Sequence, residues 1–182
     1  MKKKSIMSGI LVGLGVVVNT LSTNPFIGAM LFSIALLIII ECSLHLFTGR
    51  VGFTDHSYEI PRLVNILIYN CLGVQIPIVL ASPREEFIDA LVLASTYKFS
   101  FSAFELFLFA IPCGALMFLA VRCKNQLITV FCVMVFILSK WEHCIAMFPY
   151  LSVNLSVVNY FKFFVVVAGN SVGAICTRKL IS

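Results

Sequence analysis

Long apolar segments alternate with short polar breaks along the whole chain. A helix needs roughly 20 residues to cross a bilayer core about 30 Å thick, and most of the apolar segments reach about that length. The polar breaks fall at residues 23–25, 54–59, 82–86 and 122–125. The pattern predicts six transmembrane segments, approximately at residues 5–22, 26–46, 63–81, 100–121, 126–148 and 157–177.

The second and fifth apolar segments are interrupted by polar residues. The second gives way to ECSLHLFTGRVGF, which contains Glu41, His45 and Thr48. The fifth runs from LITVFCVMVFIL into SKWEHCIAMFPY, which contains Glu142 and His143. Irregular backbone at membrane depth is stable only where protein buries it or water lines it. Breaks near residues 46–49 and 141–146, each in the middle segment of a three-segment half, therefore predict a pore between the halves.

The third and sixth segments share the pattern N-x-x-G, as NCLG at residues 70–73 and NSVG at residues 170–173. Inverted repeats with interrupted helices at matching places are a frequent plan of transport proteins. We therefore predict an all-α integral membrane protein of aquaporin-like architecture. Its six transmembrane helices form two inverted three-helix halves, with the second and fifth helices interrupted. Residues 1–182 are expected to form a single channel domain.

Composition and charge agree with a membrane protein. Hydrophobic residues make up 60% of the 182 residues and charged residues 12%, whereas soluble domains carry about 25% charged residues. Lys and Arg prefer cytoplasmic loops, and a cytoplasmic N-terminus puts nine of the 13 on that side: Lys2, Lys3, Lys4, Arg50, Arg62, Arg122, Lys124, Arg178 and Lys179. We therefore expect a multi-pass protein of the cell (inner) membrane with both termini cytoplasmic. This asymmetry accounts for the net charge of +5 without nucleic-acid binding.

The N-terminus and the cysteines suggest no processing or metal chemistry. The basic start MKKK precedes an apolar stretch without a small-x-small cleavage site, so we interpret that stretch as a span rather than a signal peptide. The seven cysteines show no metal-ligand spacing and are expected to pack as small apolar side chains. No metal or cofactor is expected.

Two G-x-x-x-G pairs indicate where helices approach closely. Gly9 and Gly13 lie in the first segment, and Gly169 and Gly173 lie in the sixth. Small residues at this spacing allow close contact between membrane helices. We expect these helices to offer close-packing faces, including faces for assembly.

Four motifs carry a resemblance to a known family. LHLFTGR, PCGALMFLAVR, KWEHCIAMF and AGNSVGA occur in this order. They resemble the formate/nitrite transporter family, whose typical members carry L-F/Y-T-G/S, C-N-W-L-V-C-L-A-V-W, F-E-H-S-x-A-N-M and L-G-N-x-x-G-G in the second, fourth, fifth and sixth helices. The resemblance covers all six segments. It implies a channel or transporter, not an enzyme, for small monovalent anions or their weak acids, assembled in the lipid bilayer as a homopentamer with one pore per subunit.

The resemblance also implies pore residues. Thr48 matches the family's pore threonine, His143 its central histidine, and Lys98 a lysine before the fourth helix. We expect the neighbouring Glu142 to satisfy loop amides or to pair with a lysine beside the solute path. Two apolar constrictions are implied, for which ordinary packing is the alternative, at Phe32, Leu36, Leu46, Phe47, Met117 and Phe136.

The chain departs from the family pattern at three positions. Gly114 stands where the family usually has an asparagine, Met147 replaces the asparagine of A-N-M, and Lys140 replaces a small residue before F-E-H. The first segment begins near residue 5, so the amphipathic N-terminal segment proposed to close some members is expected to be absent. The resemblance therefore does not define the selectivity of this chain or any gating by that segment.

The polar motif around His143 suggests a mechanism. A charge at the bilayer centre costs about 2.5–3.5 kcal/mol on insertion scales, so His143 is expected to face a water path. Histidine titrates between about pH 5 and 8, and an anion in an apolar constriction loses its hydration at high cost unless it is neutralised. We hypothesise that His143, or water beside it, protonates the anion. Thr48 would donate a hydrogen bond to it, and Lys98 would raise its local concentration.

Three other interpretations remain open. An aquaporin-like channel for small neutral solutes shares the architecture, although the chain contains no N-P-A motif. An intramembrane enzyme could use His143 with Cys144 or Glu142. A degenerate family member could serve only as an assembly subunit, given Gly114 and Met147.

Overall fold

The chain folds into helices joined by short loops. A computed structural model describes residues 1–54 and 56–182, and no strand occurs among these residues. The helices are α1 (Lys2–Leu21), α2 (Pro25–Glu41), α3 (Thr48–Val51), α4 (Ile60–Ala81), α5 (Glu85–Ser100), α6 (Ala103–Cys123), α7 (Gln126–Leu138), α8 (Cys144–Ser152) and α9 (Val157–Ile181), with a 3₁₀ turn at Ser57–Glu59. The predicted all-α class is confirmed.

Four of the described helices, α1, α4, α6 and α9, are long and apolar enough to cross a membrane. Two shorter apolar helices, α2 and α7, have 17 and 13 residues. Residues from the polar breaks cap these two. Asn24 accepts the N–H groups of Phe26 and Ile27 at 2.9 and 3.3 Å, and Asn125 accepts that of Ile128 at 3.1 Å. The breaks therefore start the next helix by satisfying its first N–H groups.

The sequence pattern did not anticipate α5. The predicted segments end at residue 81 and resume at residue 100, so they leave nearly all of α5 outside any span. In the structure, Ser102 caps α6 and forms a capping box with Glu105, so α5 and α6 are separate helices. Glu85 and Glu86 in the first turn of α5 and Lys98 in its last turn suit the helix dipole. Because these charges interrupt the apolar pattern, hydropathy alone does not predict this helix.

α2 and α7 end in the same backbone geometry. At the end of α2, Ser43 has φ 49°, and the N–H of Leu44 donates to the Ile39 carbonyl at 2.9 Å. At the end of α7, Lys140 has φ 54°, and the N–H of Trp141 donates to the Phe136 carbonyl at 2.9 Å. Both are Schellman ends with a left-handed residue, a position that usually holds glycine. The helices therefore stop at Glu41 and Leu138, several residues before the predicted breaks.

The G-x-x-x-G helices pack inside the chain. α1 lies against α4, and α6 lies against α9. A Cβ at Gly9 would overlap the Asn70 carbonyl oxygen, and a Cβ at Gly173 would overlap the Ile111 carbonyl oxygen. Only glycine allows backbones to approach this closely. These faces are therefore used within the subunit, and the expectation that they serve assembly is wrong.

Candidate functional site

Thr48 and His143 meet where the two interrupted segments resume. Thr48 opens α3 and His143 is the N-cap of α8, and the Oγ1–Nε2 distance is 2.8 Å. Both side chains are buried, with 1% and 4% of their surface exposed. The two residues are 95 positions apart in the chain, so the contact joins the first half of the sequence to the second.

The hydrogen bonds of His143 define its tautomer. Its Nδ1 accepts the N–H of Ala146 at 3.2 Å, so Nδ1 carries no proton. The neutral ring then holds its proton on Nε2, which donates to Thr48 Oγ1. The hydroxyl hydrogen of Thr48 is left free for another acceptor. A proton can reach Nδ1 only if the hydrogen bond to Ala146 is given up.

Asn70 of α4 holds the irregular segment before α3. Its Oδ1 accepts the N–H of Phe47 at 2.8 Å, and its Nδ2 donates to the carbonyls of Ser5 and His45 at 2.7 and 2.9 Å. The amide is fully buried. One side chain thus bonds three backbone groups, of which the Phe47 N–H and the His45 carbonyl lie in the break and would otherwise lack partners.

Asn170 of α9 repeats this arrangement in the other half. Its Oδ1 accepts the N–H of Cys144 at 2.8 Å, and its Nδ2 donates to the carbonyls of Ala110 and Glu142, both at 2.8 Å. The N-x-x-G pattern paired these two positions but did not predict this role. Asn70 and Asn170 are therefore the buried groups that fix the two breaks, and with them the Thr48–His143 contact.

Lys98 and Glu142 form an ion pair at the side of the site. Lys98 Nζ lies 2.6 Å from Glu142 Oε1, and the side chains are 19% and 5% exposed. The ammonium also lies 5.2 Å from the centroid of the Tyr150 ring. The charge of Lys98 is thus largely balanced by Glu142, and neither group contacts His143 through a hydrogen bond among the described residues.

A cavity lies on each side of the Thr48–His143 contact. The first, of about 840 Å³, has Leu36, Leu46 and Gly49 in its lining; we call it the inner cavity. The second, of about 490 Å³, has Phe32, Phe136 and His143 in its lining; we call it the outer cavity. Large apolar side chains and the polar Thr48–His143 contact therefore separate two spaces that are each wide enough for water and small ions.

Four of the six predicted constriction residues line a cavity. The rings of Phe32 and Phe136 meet edge to face at 6.2 Å, and Phe136 stacks on His143 at 5.7 Å. Leu36 and Leu46 line the inner cavity. Phe47 and Met117 are buried but belong to the lining of neither cavity.

The positions that depart from the family pattern have distinct surroundings. A Cβ at Gly114 would overlap the Asn170 carbonyl oxygen, just as one at Gly9 would overlap that of Asn70. Gly114 therefore has no room for an asparagine in this packing. Met147 is buried, and both it and the exposed Lys140 line the outer cavity. No sequence signal other than the mismatch itself singled out Lys140.

Comparisons with known proteins point to one family. A family model described as "Formate/nitrite transporter" matches residues 2–181. A solved structure described as "FNT family ion channel" has a TM-score of 0.82 and 21% identity, covering 98% of this chain and 87% of that chain. A second, "Pentameric formate channel with formate bound", has a TM-score of 0.74 and 18% identity, covering 98% and 91%. No curated protein sequence matches. At these identities, the solved structures show a shared fold.

Proposed function

The chain belongs to the formate/nitrite transporter family, and from this premise we propose that it is a membrane channel or transporter for small monovalent anions or their weak acids. Formate, nitrite and hydrosulfide are the candidate solutes. The contact between Thr48 and His143 carries the proposal, because it lies between two cavities. The formate bound in the pentameric channel with the same fold gives further support.

We propose six transmembrane segments in one domain of residues 1–182, arranged as two inverted halves. α2 with α3 and α7 with α8 would each form one interrupted segment. The matching hydrogen bonds of Asn70 and Asn170 support the inversion, since each side chain holds the backbone before a restarted helix. The two Schellman ends at Ser43 and Lys140 support it as well.

Both termini would lie on the cytoplasmic side of the cell (inner) membrane. Lys4 Nζ donates to the Ser43 carbonyl at 3.3 Å, and Arg178 Nη1 donates to the Thr54 carbonyl at 3.2 Å. The two ends of the chain therefore contact the segments just before and just after α3. Arg50, Arg122 and Lys124 line the adjacent inner cavity, as the preference of basic residues for the cytoplasmic side requires.

His143 would assist protonation of the anion at the narrowest point. An external proton must first reach Nδ1 from the outer cavity and displace the Ala146 amide. The imidazolium can then give a proton to the anion, which crosses the apolar region as the neutral acid and so avoids most of the cost of desolvation. The free hydroxyl hydrogen of Thr48 would orient the anion. Enzymatic use of His143 with Cys144 or Glu142 is disfavoured, because both ring nitrogens are bonded elsewhere.

Flux into liposomes tests the proposal. The purified protein is expected to pass formate, nitrite or hydrosulfide well above the rate of protein-free vesicles, and to pass glycerol no faster than they do. A neutral-solute channel of the aquaporin type gives the reverse result. Glycerol flux without anion flux would therefore replace the proposed function with that alternative, and flux of neither would favour a subunit without a conducting pore.

We also propose a homopentamer with one pore per subunit, as in the pentameric formate channel that shares the fold. The G-x-x-x-G faces are occupied within the subunit, so other apolar surfaces must meet. Exposed residues of α4, including Leu72, Val79 and Leu80 at 58–76% exposure, are available to lipid or a neighbouring copy. Native mass spectrometry in mild detergent is expected to give a mass of five chains of 20.2 kDa. Monomers alone would contradict the proposed assembly.

A further inference from the structure

Lys140 occupies a backbone position that rarely carries a long side chain. It is the left-handed residue that ends α7, with φ 54°, and its N–H donates to the Ile137 carbonyl at 3.0 Å. Non-glycine residues adopt this conformation at a cost of about 1–2 kcal/mol. A lysine here therefore loses backbone stability that glycine would retain, and its side chain is aimed from the end of the helix towards the outer cavity.

The outer cavity owes its net charge to Lys140. Its lining contains three formally charged residues, namely Lys98, Lys140 and Glu142. Lys98 and Glu142 neutralise each other across 2.6 Å. Lys140 is exposed and has no carboxylate partner among the described residues, and its ammonium lies 5.0 Å from the centroid of the Tyr97 ring. One unpaired positive charge is left at the opening of the cavity.

The rest of the proposed outer face would repel anions. Its other charged residues are two cations and four carboxylates, namely Arg84, Lys162, Glu85, Glu86, Asp89 and Glu105. The face outside the cavity thus carries a formal charge of −2. A cleft with low-dielectric walls concentrates the field of the charges inside it. The positive charge of Lys140 is therefore felt most strongly by an ion that enters the cavity.

We propose that Lys140 is the docking cation that draws small monovalent anions into the outer cavity. In this role Lys98 is a structural partner of Glu142 rather than the principal attracting charge. The inference rests on the proposed function for its biological meaning, because the docked anion would continue to His143. The docking itself can be measured without transport.

Trp141 offers a local probe. It is the single tryptophan of the chain, it adjoins Lys140, and it lines the same cavity in a half-buried position. Iodide is a monovalent anion that quenches tryptophan fluorescence on contact, and acrylamide is a neutral quencher. The ratio of the two quenching constants therefore reports the local anion concentration beside Trp141, independently of how accessible the ring is.

The experiment compares the parent with four variants of Lys140 in non-ionic detergent at low and high ionic strength. At about 10 mM salt the screening length is about 30 Å. Under these conditions Lys140→Gln is expected to lower the quenching constant of iodide about threefold, and Lys140→Glu is expected to lower it further. Acrylamide quenching should stay unchanged. Lys140→Arg, which keeps the charge, should match the parent. At about 1 M salt, where the screening length is about 3 Å, the differences should disappear.

Two results would overturn the inference. One is that, at low salt, iodide quenches Lys140→Gln and Lys140→Glu with the same quenching constant as the parent. The other is a parent Trp141 that acrylamide quenches and iodide does not. Lys140→Gly, which suits the left-handed backbone, guards against misfolding of the glutamine variant and should quench like it.

Flux separates this inference from the proposed function. If the parent passes anions, Lys140→Gln should raise the half-saturating formate concentration about threefold at low salt and leave the maximal rate unchanged. If the parent passes no anion in liposomes but its iodide quenching depends on Lys140, then the proposed function fails and the docking site stands. If flux is present but neither quenching nor half-saturation responds to Lys140, the docking site fails and the function stands.

Discussion

Replacing His143 with phenylalanine is expected to lower formate or nitrite flux at least about tenfold, which corresponds to about 1.4 kcal/mol in the barrier. The ring stays large enough to stack on Phe136, whose centroid lies 5.7 Å away, but the group that exchanges protons with the anion is lost. In the parent, flux should rise as external pH falls, because protonation of the anion through His143 then becomes easier. The variant should show little of that rise. Initial rates in liposomes at several external pH values measure both effects.

A matched variant removes the chemistry and keeps the helix cap. Phenylalanine cannot accept the Ala146 N–H, which costs about 1 kcal/mol of stability. Asparagine at position 143 is a good N-cap and does not titrate. His143→Asn should therefore fold as the parent does and still lose the pH response. If both variants assemble and retain the parent's rate and pH profile, His143 has no part in proton transfer.

Thr48→Val provides the milder comparison. It is nearly isosteric and removes the hydroxyl that contacts Nε2 at 2.8 Å. The loss of one hydrogen bond, worth about 0.5–1.5 kcal/mol, should slow flux by about two- to tenfold. Because His143 remains, the increase of flux at low pH should persist. A valine variant with no pH response would mean that proton transfer through His143 also requires the Thr48 hydroxyl.

Replacing Glu142 with glutamine is expected to destabilise the fold by about 3 kcal/mol. Removal of one partner from a buried ion pair typically costs about 3–5 kcal/mol, and the lower end applies here because 19% of the Lys98 side chain is exposed. The backbone bonds of residue 142 to Asn170 and Phe109 do not depend on the carboxylate. The loss should therefore come from the ammonium left without its counter-charge. Denaturant titration of the parent and the variant in detergent measures the difference in their free energies of unfolding.

The double variant Lys98→Met with Glu142→Gln is the control. It removes both charges and keeps similar side-chain volumes, so most of the lost stability should return, as it often does when a whole buried pair is replaced. A double variant as unstable as Glu142→Gln alone would mean that Glu142 acts through packing. A single variant as stable as the parent would mean that water already compensates Lys98.

Much of the fold follows from the sequence because a bilayer imposes local rules. Long apolar helices such as α1 and α9 are set by the thickness of the hydrocarbon core, and polar residues such as Asn24 and Asn125 cap the helices that follow them. The interruptions near Thr48 and His143 were visible as polar groups in apolar segments. The repeated N-x-x-G pattern pointed to related halves. The pattern did not predict α5, because its charged ends and half-buried face are typical of a helix in a soluble protein rather than of a transmembrane helix.

The sequence by itself therefore indicated that the chain is a membrane protein, that it is all-helical and that it resembles one family. It also identified the residues that lie at the breaks. The tertiary structure alone decided which of them meet: Thr48 with His143, Lys98 with Glu142, and each asparagine with three backbone groups. It also decided that Gly114 has no room for a side chain and that Lys140 has no carboxylate partner among the residues that the structure describes. Hydropathy and motif spacing report local preferences, whereas these contacts join residues up to 95 positions apart. They depend on how closely the helices pack, which the glycines permit but do not specify one by one.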